Sequence, residues 1–458
     1  MTSANANVSR ETADRIAAIS TAPGRGGIGI VRVSGQGLAD LAQMITGMVL
    51  VARRATHAIF RNDCGQPLDD GVALFFPAPH SFTGEDVLEL HGHGGQAGLT
   101  NILRRCLQLG CRLARPGEFT ERAFLNGKLD LAQAESVADM IDAGSTQAAL
   151  SAARTLTGEF SRRVNAVTTH LVDLRAHVEA TIDFPEEEIS PADRQMVHEK
   201  LALLCKLEME LSREASQGAV LRDGLTVVLI GKPNVGKSSL LNRLAGEDVA
   251  IVTAIPGTTR DLNRATINLD GVPIHLIDTA GLRSTEDEVE KIGIERAWEA
   301  INHAGAAMLI SESGMAVDPD DEEIAAKLRP NMPMIRVHNK SDLYHAGVVS
   351  RETVVSGSQA DVVVSALTGE GVECLRAWLL ATAGWQPGIE GVFLARERHM
   401  VALRAAADHL ATARSLENQF DLLAEELRLA QLNMASITGE FTPDDLLGEI
   451  FSRFCIGK

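Results

Sequence analysis

The sequence feature that most constrains the fold is the stretch Gly231–Ser238, which reads Gly-Lys-Pro-Asn-Val-Gly-Lys-Ser. It follows the apolar run Thr226–Ile230 and precedes the helical pattern Ser239–Ala245. A G-x-x-x-x-G-K-S pattern between a strand and a helix is typical of a phosphate-binding loop. The glycines let backbone N–H groups surround the phosphates, the lysine reaches the β- and γ-phosphates, and the hydroxyl holds Mg²⁺. The alternative is a chance glycine turn, and the flanking strand and helix argue against it.

Three short motifs later in the chain indicate which nucleotide this domain binds. Asp-Thr-Ala-Gly at 278–281, Asn-Lys-Ser-Asp at 339–342 and Ser-Ala-Leu at 365–367 each follow a predicted apolar strand. The first motif places a carboxylate near Mg²⁺ and a glycine amide near the γ-phosphate. The second selects guanine, because its aspartate accepts two N–H donors that adenine does not present together. The four motifs in this order predict a GTP-binding domain.

Two features of this domain concern GTP hydrolysis. Leu282 follows Asp-Thr-Ala-Gly, where many GTPases place a glutamine that orients the attacking water. Asn234 is a candidate ligand for a monovalent cation that replaces an arginine finger, and the alternative is that it only turns the loop. Glu290 is a candidate for positioning the water, and the alternative is a solvated surface position. Residues 250–261 are the predicted first switch, in which, by analogy with other GTPases, Thr259 completes the Mg²⁺ shell.

The predicted GTP-binding residues come from the phosphate loop, the first switch and the three later motifs. They are Asn234, Val235, Gly236, Lys237, Ser238, Ser239, Thr253, Ala254, Ile255, Pro256, Gly257, Thr258, Thr259, Asp278, Thr279, Ala280, Gly281, Asn339, Lys340, Asp342, Ser365 and Ala366. Lys237 is also assigned a catalytic role, because its ammonium group reaches the β- and γ-phosphate oxygens.

Composition limits the partners and the compartment. The 458 residues suffice for two or three domains, and the formal net charge is −18. A net charge this negative argues against a protein that binds nucleic acid without a partner, because such binding requires clustered Lys and Arg. The six cysteines form no C-x-x-C pair, and we find neither a leader nor a long apolar run. We therefore expect a reduced, cytoplasmic chain without membrane insertion.

The patterns along the chain predict a multidomain protein with α/β and all-α parts. Alternating strands at 28–33, 72–76 and 87–90 indicate an N-terminal α+β domain, and we expect no strand within residues 1–19. Helical periodicity then indicates one bundle that a Ras-like P-loop GTPase domain interrupts. The predicted domains are 1–127 (α+β), 128–222 (helical, first part), 223–386 (GTPase) and 387–458 (helical, second part).

Two stretches outside the GTPase domain carry side chains capable of chemistry. His91 and His93 lie in the sequence His-Gly-His-Gly-Gly; without a cysteine or carboxylate at ligand spacing, we expect a turn and no metal site. The chain ends in Cys-Ile-Gly-Lys, which fits a prenylation box poorly because Gly stands third and Lys last. Cys455 is instead a candidate catalytic thiol after an apolar helix, and the alternative is a cysteine packed as a small hydrophobe.

The chain resembles the MnmE (TrmE) family of tRNA-modification GTPases. The resemblance runs from about residue 22 to the last residue. It rests on Pro-Gly-Arg-Gly-Gly at 23–27, Ser-Phe-Thr-Gly-Glu-Asp at 81–86, Arg-Pro-Gly-Glu-Phe-Thr-Glu-Arg-Ala-Phe-Leu-Asn at 115–126, Gly-Thr-Thr-Arg-Asp at 257–261 and Cys-Ile-Gly-Lys at 455–458. It departs from the family pattern at 304–313, where the family shows an Asp and then a strand that ends in Asp.

The resemblance implies a particular assembly and reaction. It implies a homodimer whose N-terminal domains bind a tetrahydrofolate one-carbon donor, in the 5,10-methylene or 5-formyl form. The GTPase domains are expected to meet when K⁺ occupies the phosphate loop. A flavoprotein partner, MnmG, which carries FAD, is expected to form a heterotetramer with the dimer. Together they would install a carboxymethylaminomethyl-type group on carbon 5 of the wobble uridine of certain tRNAs.

The family's functional residues carry over where the motifs match. The implied folate contacts are Arg32, Glu89, Lys128 and Lys458. The implied K⁺ ligands are Asn234, Thr253, Ile255 and Thr258, the Mg²⁺ ligands are Ser238 and Thr259, and the water-positioning carboxylate is Glu290. The alternative function is a regulatory GTPase switch in ribosome or tRNA biology without modification chemistry. The folate motifs and the Cys-Ile-Gly-Lys end favour the enzyme.

Overall fold

The computed structural model describes residues 14–183, 191–245, 264–278, 298, 301–343, 354–356, 359–387, 392–416, 419–440, 444–452 and 454–457. Internal contacts divide the chain into two compact units. The first is Met1–Ile141 with Arg154–Leu207 and Ala402–Lys458, and the second is Asp142–Ala153 with Glu208–Val401. The domain boundaries inferred from the sequence stay a prediction.

The strands and helices follow one another along the chain in the order expected for α/β and all-α parts. The strands are β1 (Ile16–Ile19), β2 (Gly26–Gly35), β3 (Thr56–Arg61), β4 (Pro67–Phe76), β5 (Asp86–Gly94), β6 (Arg112–Leu113), β7 (Leu225–Ile230), β8 (Arg264–Leu269), β9 (Val272–Asp278), β10 (Ala306–Glu312), β11 (Met334–Asn339), β12 (Val354–Ser356) and β13 (Gln359–Val363). The helices are α1 (Leu38–Thr46), α2 (Gln96–Gln108), α3 (Glu118–Leu125), α4 (Leu131–Asp142), α5 (Thr146–Leu156), α6 (Glu159–Asp183), α7 (Pro191–Asp223), α8 (Lys237–Ala245), α9 (Pro319–Ala326), α10 (Val372–Thr382), α11 (Glu397–Ser415), α12 (Phe420–Thr438) and α13 (Asp444–Ser452). Within the described ranges, no helix is long and apolar enough to cross a bilayer.

The first unit contains a six-stranded sheet in the order β3-β4-β5-β2-β1-β6. Helices α1 and α2 cover one face of this sheet. Helix α1 buries apolar residues at the i, i+3, i+4 and i+7 spacing of one helix face, namely Leu38, Leu41, Ala42 and Ile45. They share a core with Val31 of β2 and Leu88 of β5. Because successive side chains of a strand alternate, Arg32 and Glu89 lie on the opposite face.

Strand β1 overturns the expectation that residues 1–19 contain no strand. It pairs antiparallel with β2 and parallel with β6, so it lies inside the sheet. Ile16, Ala17 and Ala18 are buried there. A strand of four residues with alanines at its centre is too short for local periodicity to mark it, and its neighbours in the sheet stabilise it.

The helical part of the first unit includes α6 and α12, which pack along each other. Arg175 of α6 donates a hydrogen bond to the side chain of Gln431 of α12 at 2.6 Å. Helix α13 packs on α3, where the rings of Phe451 and Phe124 lie 6.4 Å apart. The helical periodicity near the end of the sequence is thereby confirmed as helices α11 to α13.

The second unit contains a seven-stranded sheet in the order β12-β13-β11-β10-β7-β9-β8. Its five central strands are parallel, and β8 and β12 pair antiparallel at the two edges. Alternate residues of β7 enter separate cores, with Leu229 on one face and Val228 on the other. In a parallel sheet buried on both faces, the carboxyl ends of the strands meet at one edge, which is where ligands bind.

A buried ion network holds α3 against the sheet of the first unit. The Arg122 side chain is 3% exposed, and it lies 2.9 Å from Glu85, 2.8 Å from Asp14 and 3.1 Å from Glu118. Arg112 donates to both carboxylate oxygens of Glu118, at 2.9 and 2.5 Å. Burial by itself would raise the pKa of Glu118. Hydrogen bonds from the two arginines and from a backbone N–H outweigh burial and lower the pKa to about 2.

This network predicts a pH-dependent contribution to stability from Glu118. A carboxyl whose pKa is lower in the folded than in the unfolded chain stabilises the fold above pH 4.5, and loses that effect as pH falls towards 2. We expect Glu118→Gln to cost on the order of 3 kcal/mol at pH 7 and less than half as much at pH 3. Urea unfolding followed by circular dichroism measures both values.

Glu121→Gln is the matched control for this prediction. Glu121 lies on the same helix, but its partner Arg115 has a side chain that is 54% exposed, so the pair is weak. We expect this control to change stability by less than about 1 kcal/mol at either pH. An equal loss in the two variants, or a Glu118→Gln loss that is undiminished at pH 3, contradicts the assignment.

Candidate functional site

The phosphate loop leads from β7 to α8, as the sequence predicts. Its two glycines stand where a side chain would collide. A Cβ on Gly231 would lie 2.5 Å from the carbonyl oxygen of Ile310, and one on Gly236 would lie 2.3 Å from Nδ2 of Asn339. Asn234 has a φ of 68°, a left-handed conformation that asparagine tolerates. That conformation agrees with a role in turning the loop, and the cation-binding role of Asn234 stays a prediction.

Lys237 and Asp278 meet beside the phosphate loop. The ammonium group of Lys237 donates to the carbonyl oxygen of Gly231 at 2.6 Å and lies 3.3 Å from Oδ1 of Asp278. This is possible because β7 and β9 are neighbours, with Leu229 opposite Asp278. Ser238, the predicted Mg²⁺ ligand, follows in the first turn of α8 and is exposed. The structure thus brings the predicted phosphate lysine and metal-shell carboxylate together.

Asn339 joins the phosphate loop to the loop that backs the base. Its side-chain amide donates to the carbonyl oxygen of Val235 at 2.9 Å and accepts from the N–H of Ala366 at 3.1 Å. The residue is 1% exposed. Asp342 lies in the turn after β11, and its Oδ1 accepts from the hydroxyl of Ser365 at 2.5 Å. Four predicted guanine-site residues from separate parts of the sequence are therefore assembled at one edge of the sheet.

Glu312 is a residue of this site that sequence reasoning did not single out. It ends β10, directly opposite Asn339 of β11, and forms an ion pair with Lys340. The departure from the family pattern at 304–313 does not prevent β10 from forming between β7 and β11. Glu312 could have been predicted as an acidic residue at the end of a strand, because that strand pairs with the one that precedes Asn-Lys-Ser-Asp.

Several predicted site residues lie outside the described residues, so the structure does not test their placement. These residues are Thr253, Ala254, Ile255, Pro256, Gly257, Thr258, Thr259, Thr279, Ala280, Gly281, Glu290 and Lys458. In the part of the chain that the structure does describe, no group of three or more His, Cys, Asp or Glu side chains is placed to hold a metal ion.

The sheet face of the first unit opposite α1 and α2 brings together two of the predicted folate residues. Nε and Nη2 of Arg32 both donate to Oε1 of Glu89, at 3.0 and 2.8 Å. The guanidinium group also lies 5.7 Å from the ring centre of Phe82 and 5.9 Å from that of Phe119. Such contacts favour a fixed, cationic side chain. Lys128 is exposed and lies beside the loop that carries Phe82, since its Cγ would be 3.3 Å from a Cβ on Gly84.

Cys455 lies next to a cavity at one end of the same sheet. The cavity has a volume of about 710 Å³, and the residues around it include Thr21, Arg25, Gly94, Gln96 and Cys455. The backbone holds the cysteine there, because the N–H of Gly117 donates to the carbonyl oxygen of Cys455 at 3.3 Å. The thiol-bearing residue is exposed. A reagent in the cavity can therefore reach it.

The tail after Cys455 is fixed by its backbone. Ile456 forms an isolated bridge with Pro116, and the hydroxyl of Ser20 donates to the carbonyl oxygen of Gly457 at 3.0 Å. Gly457 has a φ of 97°, and a Cβ there would lie 2.6 Å from the carbonyl oxygen of Ile19. The glycine of Cys-Ile-Gly-Lys is thus required for docking of the tail on β1.

A strand–loop–helix phosphate site next to Asn-Lys-Ser-Asp and Ser-Ala loops defines the class of P-loop guanine-nucleotide-binding proteins. A family model described as "GTP-binding protein TrmE N-terminus" matches residues 15–128, and one described as "MnmE helical domain" matches residues 131–455. The chain belongs to the MnmE family. The family resemblance, the fold class and the assignment to the GTPase enzymes are confirmed.

Curated relatives match the chain over nearly its whole length. The protein named "tRNA modification GTPase MnmE" of Thiobacillus denitrificans is 55% identical over 445 residues, which cover 97% of this chain and 98% of the relative. Its namesake in Azoarcus sp. is 55% identical with the same coverage. That of Nitrosospira multiformis is 53% identical, covering 97% of this chain and 99% of the relative.

Proposed function

We propose that the chain is a K⁺-dependent GTPase that acts in tRNA modification with a flavoprotein partner. The reaction is the addition of a carboxymethylaminomethyl-type group to carbon 5 of the wobble uridine of certain tRNAs. The observation that carries the GTPase part is the buried amide of Asn339, which links the phosphate loop to the Ser365–Ala366 loop. The tRNA part is supported by the near-complete match to relatives that are named tRNA modification GTPases.

The residues in and beside the phosphate loop of the second unit are chemically suited to bind GTP together with its metal ions. Gly231 and Gly236 carry no Cβ at two positions where one would collide with neighbouring atoms, so the loop can form its tight turn, and its backbone N–H groups would bind the anion. Lys237 and Asp278 would bind the phosphates and the Mg²⁺ shell, with Ser238 as a metal ligand. Bound Mg²⁺ and K⁺ would supply positive charge to the phosphates during hydrolysis.

Hydrolysis in this proposal depends on two residues that replace the usual machinery. Leu282 has no group that can orient water, so Glu290 positions the attacking water in its place. Asn234, with Thr253, Ile255 and Thr258, holds K⁺ where an arginine finger would otherwise act. The K⁺ held by these residues would supply the charge that an arginine finger supplies in other GTPases.

The first unit supplies the one-carbon chemistry in this proposal. Arg32, Glu89, Lys128 and Lys458 bind tetrahydrofolate in its 5,10-methylene or 5-formyl form. The ion pair of Arg32 with Glu89 supports this assignment, because it holds a carboxylate in place as an acceptor for an N–H donor of the ligand. The chain acts as a cytoplasmic homodimer with the FAD-carrying partner, MnmG.

We predict that GTP hydrolysis requires K⁺ and that Asn234→Ala abolishes the requirement. An arginine finger accelerates hydrolysis by about 10³–10⁵, so the rate in K⁺ should exceed the rate in Na⁺ by a factor of similar size. In the variant, the rates in the two salts should be equal and low. Phosphate release under saturating GTP measures both.

Asn331→Ala is the matched control, because Asn331 is exposed and has the same φ of 68° outside the phosphate loop. Both substitutions carry the same backbone strain. The control should keep the full preference for K⁺. Equal wild-type rates in K⁺ and Na⁺, or loss of the preference in the control, would argue against Asn234 as a cation ligand.

We predict that Cys455 serves the modification reaction and not GTP hydrolysis. Cys455→Ser preserves the volume but removes the nucleophile, so tRNA modification should fall by at least about tenfold while GTP turnover stays within about twofold. Cys64→Ser is the control, since Cys64 is also exposed and lies in the loop between β3 and β4. Mass spectrometry of tRNA nucleosides after reaction with the partner gives the readout. Normal modification by the Cys455→Ser chain would exclude the thiol from the reaction.

A further inference from the structure

His91 extends the contact between Arg32 and Glu89 on the sheet face of the first unit opposite α1 and α2. It lies two residues after Glu89 on β5, so both side chains lie on the same face. Its Nε2 is 3.0 Å from Oε2 of Glu89. Nε and Nη2 of Arg32 both donate to the other oxygen, Oε1. Each oxygen of the Glu89 carboxylate therefore has its own partner.

Two partners on separate oxygens fix the plane of the carboxylate. The last torsion of a glutamate side chain is soft, because its barrier at an sp³–sp² bond is low. Arg32 contacts only one oxygen, so by itself it restrains that oxygen and makes no contact with the second. The contact with His91 restrains the second oxygen. The side chains of Arg32, Glu89 and His91 are 23%, 15% and 24% exposed, so the arrangement is partly shielded from water.

The neighbours of His91 do not draw it away from Glu89. In the sheet register, Ile30 of β2 and Val72 of β4 lie opposite His91, and both are apolar. The next histidine along the strand, His93, has its own carboxylate partner in Asp69, at 2.7 Å. His91 is therefore paired with Glu89, the carboxylate that is predicted to contact the ligand.

We propose that His91 is a positioning residue of the folate site and acts through Glu89. This inference rests on the proposed function, in which Glu89 binds tetrahydrofolate. The amino group of a pterin lies in the plane of the ring, and it needs an acceptor oxygen on a carboxylate whose plane is fixed. Arg32 and His91 hold Glu89 at its two oxygens, and the one lone pair left on Oε2 accepts from the ligand.

The test measures the affinity of the full-length chain for 5-formyltetrahydrofolate by isothermal titration calorimetry. We expect His91→Ala to weaken binding by at least about tenfold, the scale of a hydrogen bond to a charged group. His91→Gln keeps an N–H donor and should stay within about threefold of wild type. His57→Ala is the control, because His57 also pairs with an aspartate but has a side chain that is 71% exposed. It should bind as wild type does.

A double-mutant cycle separates positioning from general destabilisation. If His91 acts through Glu89, then adding His91→Ala to a Glu89→Gln chain should weaken binding by less than about twofold. A His91→Gln chain as weak as His91→Ala, an unaltered His91→Ala chain, or full additivity in the cycle overturns the inference while leaving the folate site in place. A wild-type chain that fails to bind 5-formyltetrahydrofolate contradicts the proposed function itself and this inference with it.

Discussion

The nucleotide site of the second unit depends on one buried amide, that of Asn339. An amide offers a donor and an acceptor together, so it can satisfy the carbonyl oxygen of Val235 and the N–H of Ala366 at once. Because the residue is almost fully buried, removal of the amide would leave those backbone groups unpaired, at about 1–3 kcal/mol each. The same contacts align the phosphate loop with the loop behind the base. Guanine selection and phosphate binding therefore share one structural support.

In the first unit, an ion network holds the structural elements in place, as the amide of Asn339 does in the second. Arg122 and Glu118 fix helix α3 to the sheet, and Phe119 of the same helix lies over the guanidinium group of Arg32. Arg32 in turn holds Glu89. Breaking a buried ion pair by removing one partner is costly, because it leaves an uncompensated charge. The sheet face that carries Arg32 and Glu89 is thus linked to the stability of the unit through the short helix α3.

The sequence predicted the local features well, because local patterns determine them. The strands at 28–33 and 72–76 and the phosphate loop follow from alternation, glycine positions and flanking elements. Strand β1 was missed because its neighbours in the sheet create it. The pairing of Glu312 with Lys340, and of His91 with Glu89, depends on sheet register and side-chain direction. Neither is encoded in a motif, so the histidines were interpreted as a glycine-rich turn when they lie on strand β5.

In the proposed function, GTP hydrolysis in one unit serves tRNA modification chemistry in the other. The most direct measurement is nucleoside analysis of tRNA from cells that lack this chain, with and without its gene restored. We predict that the carboxymethylaminomethyl-type group disappears from wobble uridines without the chain and returns with it. Wobble uridines that are unchanged in its absence would contradict the account and favour a regulatory GTPase without modification chemistry.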